Sequence, residues 1–233
     1  MKHTYQELEK WVSRDSVHYN YLLSFYKEGS RIEYLDEQKV LLYMDRYSMA
    51  YAAGRGHNID PRYLVLFDEE DETQNFIDQG LSKGSVLKVY MAYYPENSIK
   101  VEIPQGIRLR DISMSDYDYI LKHYDGAAAV QENVIKNCIS DGMIGAEDEN
   151  GLCGFIGKHK EGAMGFLYVA DSHRRRGIGA CLEKALIERM LKNRLLPYCH
   201  VVETNNASLL LQRKIGLRIY PELFYWIAGK DYK

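Results

Sequence analysis

"LYVADSHRRRGIGACL" occupies Leu167–Leu182. It joins an apolar strand end, a short loop with three consecutive arginines, and the start of an amphipathic helix. Ile178, Cys181, Leu182, Ala185, Leu186 and Met190 recur at spacings of three and four, so one stripe of this helix packs on a sheet. The first N–H groups of any α-helix lack intrahelical acceptors, and the helix dipole leaves that end partly positive. Gly177 and Gly179 let an anion approach without a Cβ in the way. Arg174, Arg175 and Arg176 add forked donors suited to phosphate. The stretch reads as a phosphate or pyrophosphate cradle.

That reading has to be local. The chain has 233 residues and a formal net charge of −3, with neither the basic stripe nor the interleaved aromatics of a nucleic-acid binder. No run approaches the roughly 18 apolar residues of a membrane span. Residues Met1–Lys10 are polar and mixed in charge, unlike a secretory signal. The four cysteines (Cys138, Cys153, Cys181, Cys199) include no C-x-x-C pair, and the seven histidines show no metal-ligand spacing. Buried, reduced thiols, no metal and a cytoplasmic location are expected.

Working outward, "YYPENSIKVEIPQG" (93–106) carries two prolines and a closing glycine and reads as an extended linker. A boundary there divides the chain into 1–105 and 106–233, close to the usual size of about 100–200 residues per domain. In the first part, apolar spacing predicts helices over 5–12 and 15–26, stopped by Gly29. Strands follow at 31–44, around an acidic turn at Asp36-Glu37, and at 63–67. An acidic helix start leads to Gly80, and 85–94 is a further strand. In the second part, 106–112 alternates as a strand, Ser115 caps a helix over 116–124, and 130–140 is a second helix. Three strands joined by the hairpin turns "EDENG" and "HKEG" precede the cradle. A helix over about 178–193, a strand at "PYCHVVE", a helix capped by Asn205 or Asn206 and stopped by Gly216, and two strands, "LRIYP" and "LFYWI", complete a mixed α+β chain.

The loop is neither a P-loop nor a Gly-x-Gly-x-x-Gly dinucleotide fingerprint. Its order is Arg-x-x-Gly-x-Gly/Ala, carried by Arg174, Gly177, Gly179 and Ala180. With it, "VVETNNASLLLQRKIGL" gives a strand end, Asn, Ser, a helix, and Gly plus an apolar residue. Together these resemble the two signatures of the GNAT superfamily of acyl-CoA-dependent N-acyltransferases. The spacing of "PYCHV", Asn-x-x-Ser, "KIGL" and "YWI" is most similar to the glycine N-acyltransferase branch. The resemblance covers about 106–227. It implies the GNAT fold there, with the first part either a degenerate copy or an unrelated α+β cap.

The resemblance also implies roles. Val169 would pair its backbone with the pantetheine arm of acetyl-CoA, and the Leu167 N–H would polarise the thioester carbonyl. The amides of Arg175, Arg176, Gly177, Ile178, Gly179 and Ala180 would hold the pyrophosphate, with Arg174–Arg176 also placed to meet the 3′-phosphate. Asn205 would contact pantetheine, with Ser208 nearby; the plain alternative for Asn205 is a helix cap. The implied partners are acyl-CoA and a small amine, which attacks the thioester directly after losing a proton. Two departures stand out. Gln212 occupies the position that commonly holds a proton-donating tyrosine, and Ala163 the place where some members keep a catalytic glutamate. Glu161, two residues earlier, would share that face if the strand reached it, and is the candidate base. Tyr168, Glu203, Tyr220 and Tyr225 are weaker candidates for proton transfer. A non-catalytic acyl-CoA-binding protein is the competing function.

Overall fold

The computed structural model describes residues 3–124 and 132–233. Along them run α1 (Tyr5–Val12), α2 (Ser16–Lys27), β1 (Arg31–Leu35), β2 (Val40–Met44), β3 (Met49–Ala53), β4 (Leu64–Phe67), α3 (Glu70–Asp78) and β5 (Ser82–Tyr93). Then come β6 (Arg108–Asp111), α4 (Tyr117–His123), α5 (Glu132–Ser140), β7 (Ile144–Asp148), β8 (Gly151–Lys158), β9 (Met164–Val169), α6 (Ile178–Lys192), β10 (Tyr198–Val202), α7 (Asn206–Ile215) and β11 (Arg218–Gly229). The expected start of the 130–140 helix lies outside the described residues.

Three expectations need correction. β3 was not foreseen: all five residues of "MAYAA" are buried, so no polar alternation marks the strand, and alanine has little strand preference. The cap before α4 is Ser113, not Ser115; Ser113 and Asp116 form a reciprocal capping box around a short 3₁₀ turn. "LRIYP" and "LFYWI" are one strand, β11, and Pro221 sits in its exposed first half, where a missing N–H costs no buried hydrogen bond.

The chain forms two compact units, one of residues 1–92, 200–212 and 218–233, the other of 93–199 and 213–217. The return of 200–212 and 218–233 to the first unit is what a linear cut at 105/106 leaves out. Its cause is strand pairing. In a seven-stranded sheet ordered β1-β2-β3-β4-β11-β5-β10, β11 pairs antiparallel with β4 (Tyr225↔Phe67 to Ala228↔Leu64). One face is cored by Leu41, Tyr43, Val65, Phe67, Phe76, Tyr225 and Ile227, each fully buried apolar side chain contributing roughly 1.5–3 kcal/mol. Element order repeats along the chain: two helices, three antiparallel strands, then strand–helix–strand. In the first copy β3 passes to β4 through residues 54–63 without a helix, and the two strands pair in parallel over Met49↔Leu64 to Ala52↔Phe67. In the second run of elements, α6 stands at this place.

Asp68, just past β4, is the least comfortable group of this unit. Its side chain is 3% exposed, 3.7 Å from His18 Nε2, and accepts from the Gly54 N–H at 3.1 Å. Burial pushes its carboxyl up to about 7, against the pull of the Gly54 hydrogen bond. The native state therefore binds more protons than the unfolded chain between about pH 4 and pH 7, and stability falls as pH rises through that window. Asp68→Asn keeps an acceptor for Gly54 and removes the ionisation. Thermal melts across pH should show stabilisation of roughly 4 kcal/mol at pH 8 and none at pH 4; an equal effect at both would refute the assignment.

In the other unit a four-stranded antiparallel sheet is ordered β6-β7-β8-β9. Phe155 points to one face, cored with Ile112, Ile120, Ile135, Cys138, Ile139, Met143 and Phe166 under α4 and α5. Gly154 points to the other, where α6 lies. A Cβ on Gly154 would sit 2.8 Å from the Tyr168 carbonyl oxygen and 3.2 Å from Leu182 Cδ1. Only glycine lets α6 approach this closely. Gly154→Val should cost about 1–3 kcal/mol in urea unfolding, and unchanged stability would mean that α6 is free to shift. All four cysteines are free and buried.

Candidate functional site

β9 is the edge strand of the four-stranded sheet, so one side of its backbone has no ladder partner within that sheet. Its pairing to β8 slips once: Phe155 faces Tyr168, but Gly157 faces Gly165. Phe166 and Leu167 together therefore stand opposite Ile156, a β-bulge that leaves an extra residue outside the ladder. Phe166 adopts φ +53°, a left-handed conformation costing about 1–3 kcal/mol for such a residue. Packing maintains it: the ring is 2% exposed and lies against Tyr124 and His159 at 4.8 and 4.6 Å between centroids. The bulge was not legible in the sequence. Its nearest signal is Gly165, where a Cβ would collide with the His159 ring.

Beyond the bulge, the Ala170 N–H donates to the Cys153 carbonyl at 2.8 Å, so Ala170 faces β8. By alternation the Val169 peptide faces away from β8, and its carbonyl accepts from Arg174 Nε at 3.2 Å. The loop then makes a 3₁₀ turn over Asp171–His173. His173 is a strut. Its Nε2 lies 2.9 Å from Asp148 Oδ2 at the end of β7, and its Nδ1 2.8 Å from Ser172 Oγ. The His173 hydrogen bond holds the Asp148 carboxyl below its ordinary range. Arg174 also pairs with Asp171 at 2.7 Å, so it serves the loop itself.

Arg175 (φ +63°) and Gly177 (φ +82°) are both left-handed, and Arg175 and Arg176 are exposed. Gly177 caps α6 without a side-chain hydrogen bond, and the first turn of α6 holds no acidic residue. The Cys181 N–H donates to Gly177 O at 3.0 Å. The amides of Ile178, Gly179 and Ala180, one turn earlier, lack an intrahelical acceptor. At Gly177 the nearest atom to a Cβ is Pro104 Cγ at 3.9 Å, which leaves the approach open. The geometry suits an anion: oriented N–H groups, the positive end of a 15-residue helix and two arginines, Arg175 and Arg176, that form no ion pair among the described residues.

The other expected residues fall elsewhere. Asn205 and Ser208 belong to the first compact unit, where the Ser208 N–H donates to Asn205 Oδ1 at 3.1 Å, so Asn205 caps α7. Glu161 is 6% exposed, but β9 begins only at Met164 and Gly162 (φ +91°) turns the chain between them. Strand alternation therefore does not carry Glu161 to a face of β9. Its carbonyl accepts from the buried Tyr198 hydroxyl at 2.7 Å. Gln212 is buried in α7 at 2% exposure. The sequence reading passed over His123, whose Nδ1 is 3.1 Å from the Tyr168 hydroxyl. Among the described residues, no group of three or more His, Cys, Asp or Glu is placed to hold a metal ion, and no helix is long and apolar enough to cross a membrane.

Residues 142–227 match the family model described as FR47-like protein. No curated protein matches the chain. A Drosophila protein of solved structure is similar over 100% of this chain and 99% of its own, at 12% identity and TM-score 0.74. A GCN5-related N-acetyltransferase-like protein from Streptococcus suis is similar over 95% and 98%, at 13% identity and TM-score 0.57. A tandem GNAT protein from the clavulanic acid biosynthesis pathway is similar over 82% and 78%, at 14% identity and TM-score 0.50. With its bulged edge strand, its Arg-Gly loop and these likenesses, the chain has the mixed α+β fold of the GCN5-related N-acetyltransferases.

Proposed function

We propose that the protein transfers an acyl group, most simply acetyl from acetyl-CoA, to the primary amine of a small molecule or amino acid. The observation that carries this reading is the bulged free edge of β9 running directly into the anion cradle at the head of α6. Acetyl-CoA is an extended chain with a diphosphate at one end and a thioester at the other. An edge strand offers backbone groups to such a chain, and a helix N-terminus offers amides to its diphosphate. Arg175, Arg176, Gly177, Ile178, Gly179 and Ala180 would hold the pyrophosphate, Val169 would pair with the pantetheine arm, and the Leu167 N–H would donate to the thioester oxygen. Arg174 braces the loop.

The first copy has neither the cradle helix nor an open strand: β3 and β4 pair where β9 keeps a free edge. We read residues 1–105 as a degenerate copy without a cofactor site, 106–233 as the working one, and the location as cytoplasmic. A non-catalytic acyl-CoA-binding role is the second reading, favoured by one observation, the buried Gln212 where a proton donor is usual. Calorimetry with acetyl-CoA, followed by thiol release with amino acids, aliphatic polyamines and arylalkylamines, separates the two. Binding with turnover supports the enzyme, binding without turnover supports the carrier role, and no binding refutes both.

A further inference from the structure

We propose that His123 accepts the proton of the attacking amine and that Tyr168 positions it; this rests on the acyl-transfer reading above. Tyr168 follows Leu167 directly, so it emerges from β9 beside the amide that would face the thioester. Its ring is fixed from two sides. Phe155 stacks on it from β8, with centroids 5.2 Å apart and planes 28° apart, and α4 brings Tyr119 and His123. The Tyr168 hydroxyl lies 3.1 Å from His123 Nδ1. Tyr119 lies one turn before His123 with rings 4.4 Å apart. Burial pushes the Tyr119 hydroxyl up to about 12, with Tyr168 as the next cause.

His123 is half-buried in the last turn of α4. In the tautomer whose Nδ1–H donates to the Tyr168 oxygen, Nε2 keeps its lone pair, and it makes no hydrogen bond to a described residue. One ring nitrogen held and the other open is what a proton acceptor needs. Among the described residues, the ionisable groups seen against the ring are Tyr119 from its own helix and Tyr168 from β9; no described carboxylate forms an ion pair with it.

The acceptor arrives as R–NH₃⁺ and gives one proton to His123 Nε2. The freed lone pair forms the N–C bond to the thioester carbonyl carbon. The C–S bond breaks with its electron pair on sulfur, and the surplus proton on nitrogen passes to the thiolate. The products are the amide and CoA–SH, and His123 returns its proton to solvent.

The test compares His123→Gln, Tyr168→Phe and Glu161→Gln by the pH profile of kcat/KM for thiol release from acetyl-CoA with the amine panel above. Calorimetric acetyl-CoA affinity and thermal melts serve as controls. His123→Gln should lower kcat/KM at least about 100-fold and erase the acid limb, with acetyl-CoA affinity unchanged within about twofold. Tyr168→Phe should lower the rate about tenfold and displace that limb. An NMR arm needs no acceptor. The non-reactive thioether analogue of acetyl-CoA should shift the His123 Cε1–H resonance in the wild type, and the size of that shift should change in Tyr168→Phe. A wild-type profile in His123→Gln, or loss of the limb in Glu161→Gln instead, overturns the proposal and leaves the acyl-transfer reading standing. Failure of the wild type to bind acetyl-CoA, or to release thiol with any amine, overturns the reading and this proposal with it.

Discussion

Replacing the Leu167 peptide N–H by an ester oxygen should lower kcat for acyl transfer by about 10²–10³, roughly 2.7–4 kcal/mol of transition-state stabilisation. KM for acetyl-CoA should change little. The reason lies in the bulge. Phe166 and Leu167 share a single partner position on β8, and the proposed function places the Leu167 N–H on the open edge of β9. A donor fixed by the fold needs no reorganisation as negative charge develops on the carbonyl oxygen. The ester keeps the side chain and removes only the hydrogen. Semisynthesis followed by steady-state kinetics reads the effect. An unaltered kcat would remove Leu167 from the mechanism, and a raised KM at constant kcat would make its N–H a plain binding contact.

Gly179→Glu should weaken acetyl-CoA binding by roughly 10³-fold while leaving the fold intact. Gly179 lies in the first turn of α6, where the helix presents unpaired amides and no acidic residue. A carboxylate about 4 Å from a phosphate costs on the order of 4 kcal/mol at an effective dielectric of 20, which corresponds to about a thousandfold. High salt should recover part of the loss. Calorimetry at two ionic strengths measures both, and undiminished affinity would place the diphosphate elsewhere. The result also bears on Arg174. Because Arg174 is engaged with Val169 O and Asp171, alanine there should act through loop order, whereas alanine at Arg175 or Arg176 should act through charge.

The strand–loop–helix unit was legible because each of its parts is local. A strand, a loop and a helix in unbroken sequence need only the helical apolar stripe and the Gly-x-Gly spacing to be recognised. The hairpins and the α7 cap were legible for the same reason: Gly151 (φ +116°) and Gly162 (φ +91°) turn the chain where the turn residues stand, and Asn205 bonds three residues ahead. β3 escaped because a strand buried on both faces carries no alternation. The β9 bulge escaped because a phenylalanine, not a glycine, occupies the left-handed position, and only its packing against Tyr124 and His159 makes that tenable.

What the sequence determined by itself is the strand–loop–helix unit around Gly177 and the class of fold around it, since both follow from spacing within about twenty residues. The tertiary structure alone decided two other matters: which strand edge stays open, and which side chains meet beside Leu167. β11 pairs with β4 rather than with a strand near it in the chain, and His123 meets Tyr168 across 45 residues. Such pairings are chosen by burial and register between distant segments, and no local pattern in either segment records its partner.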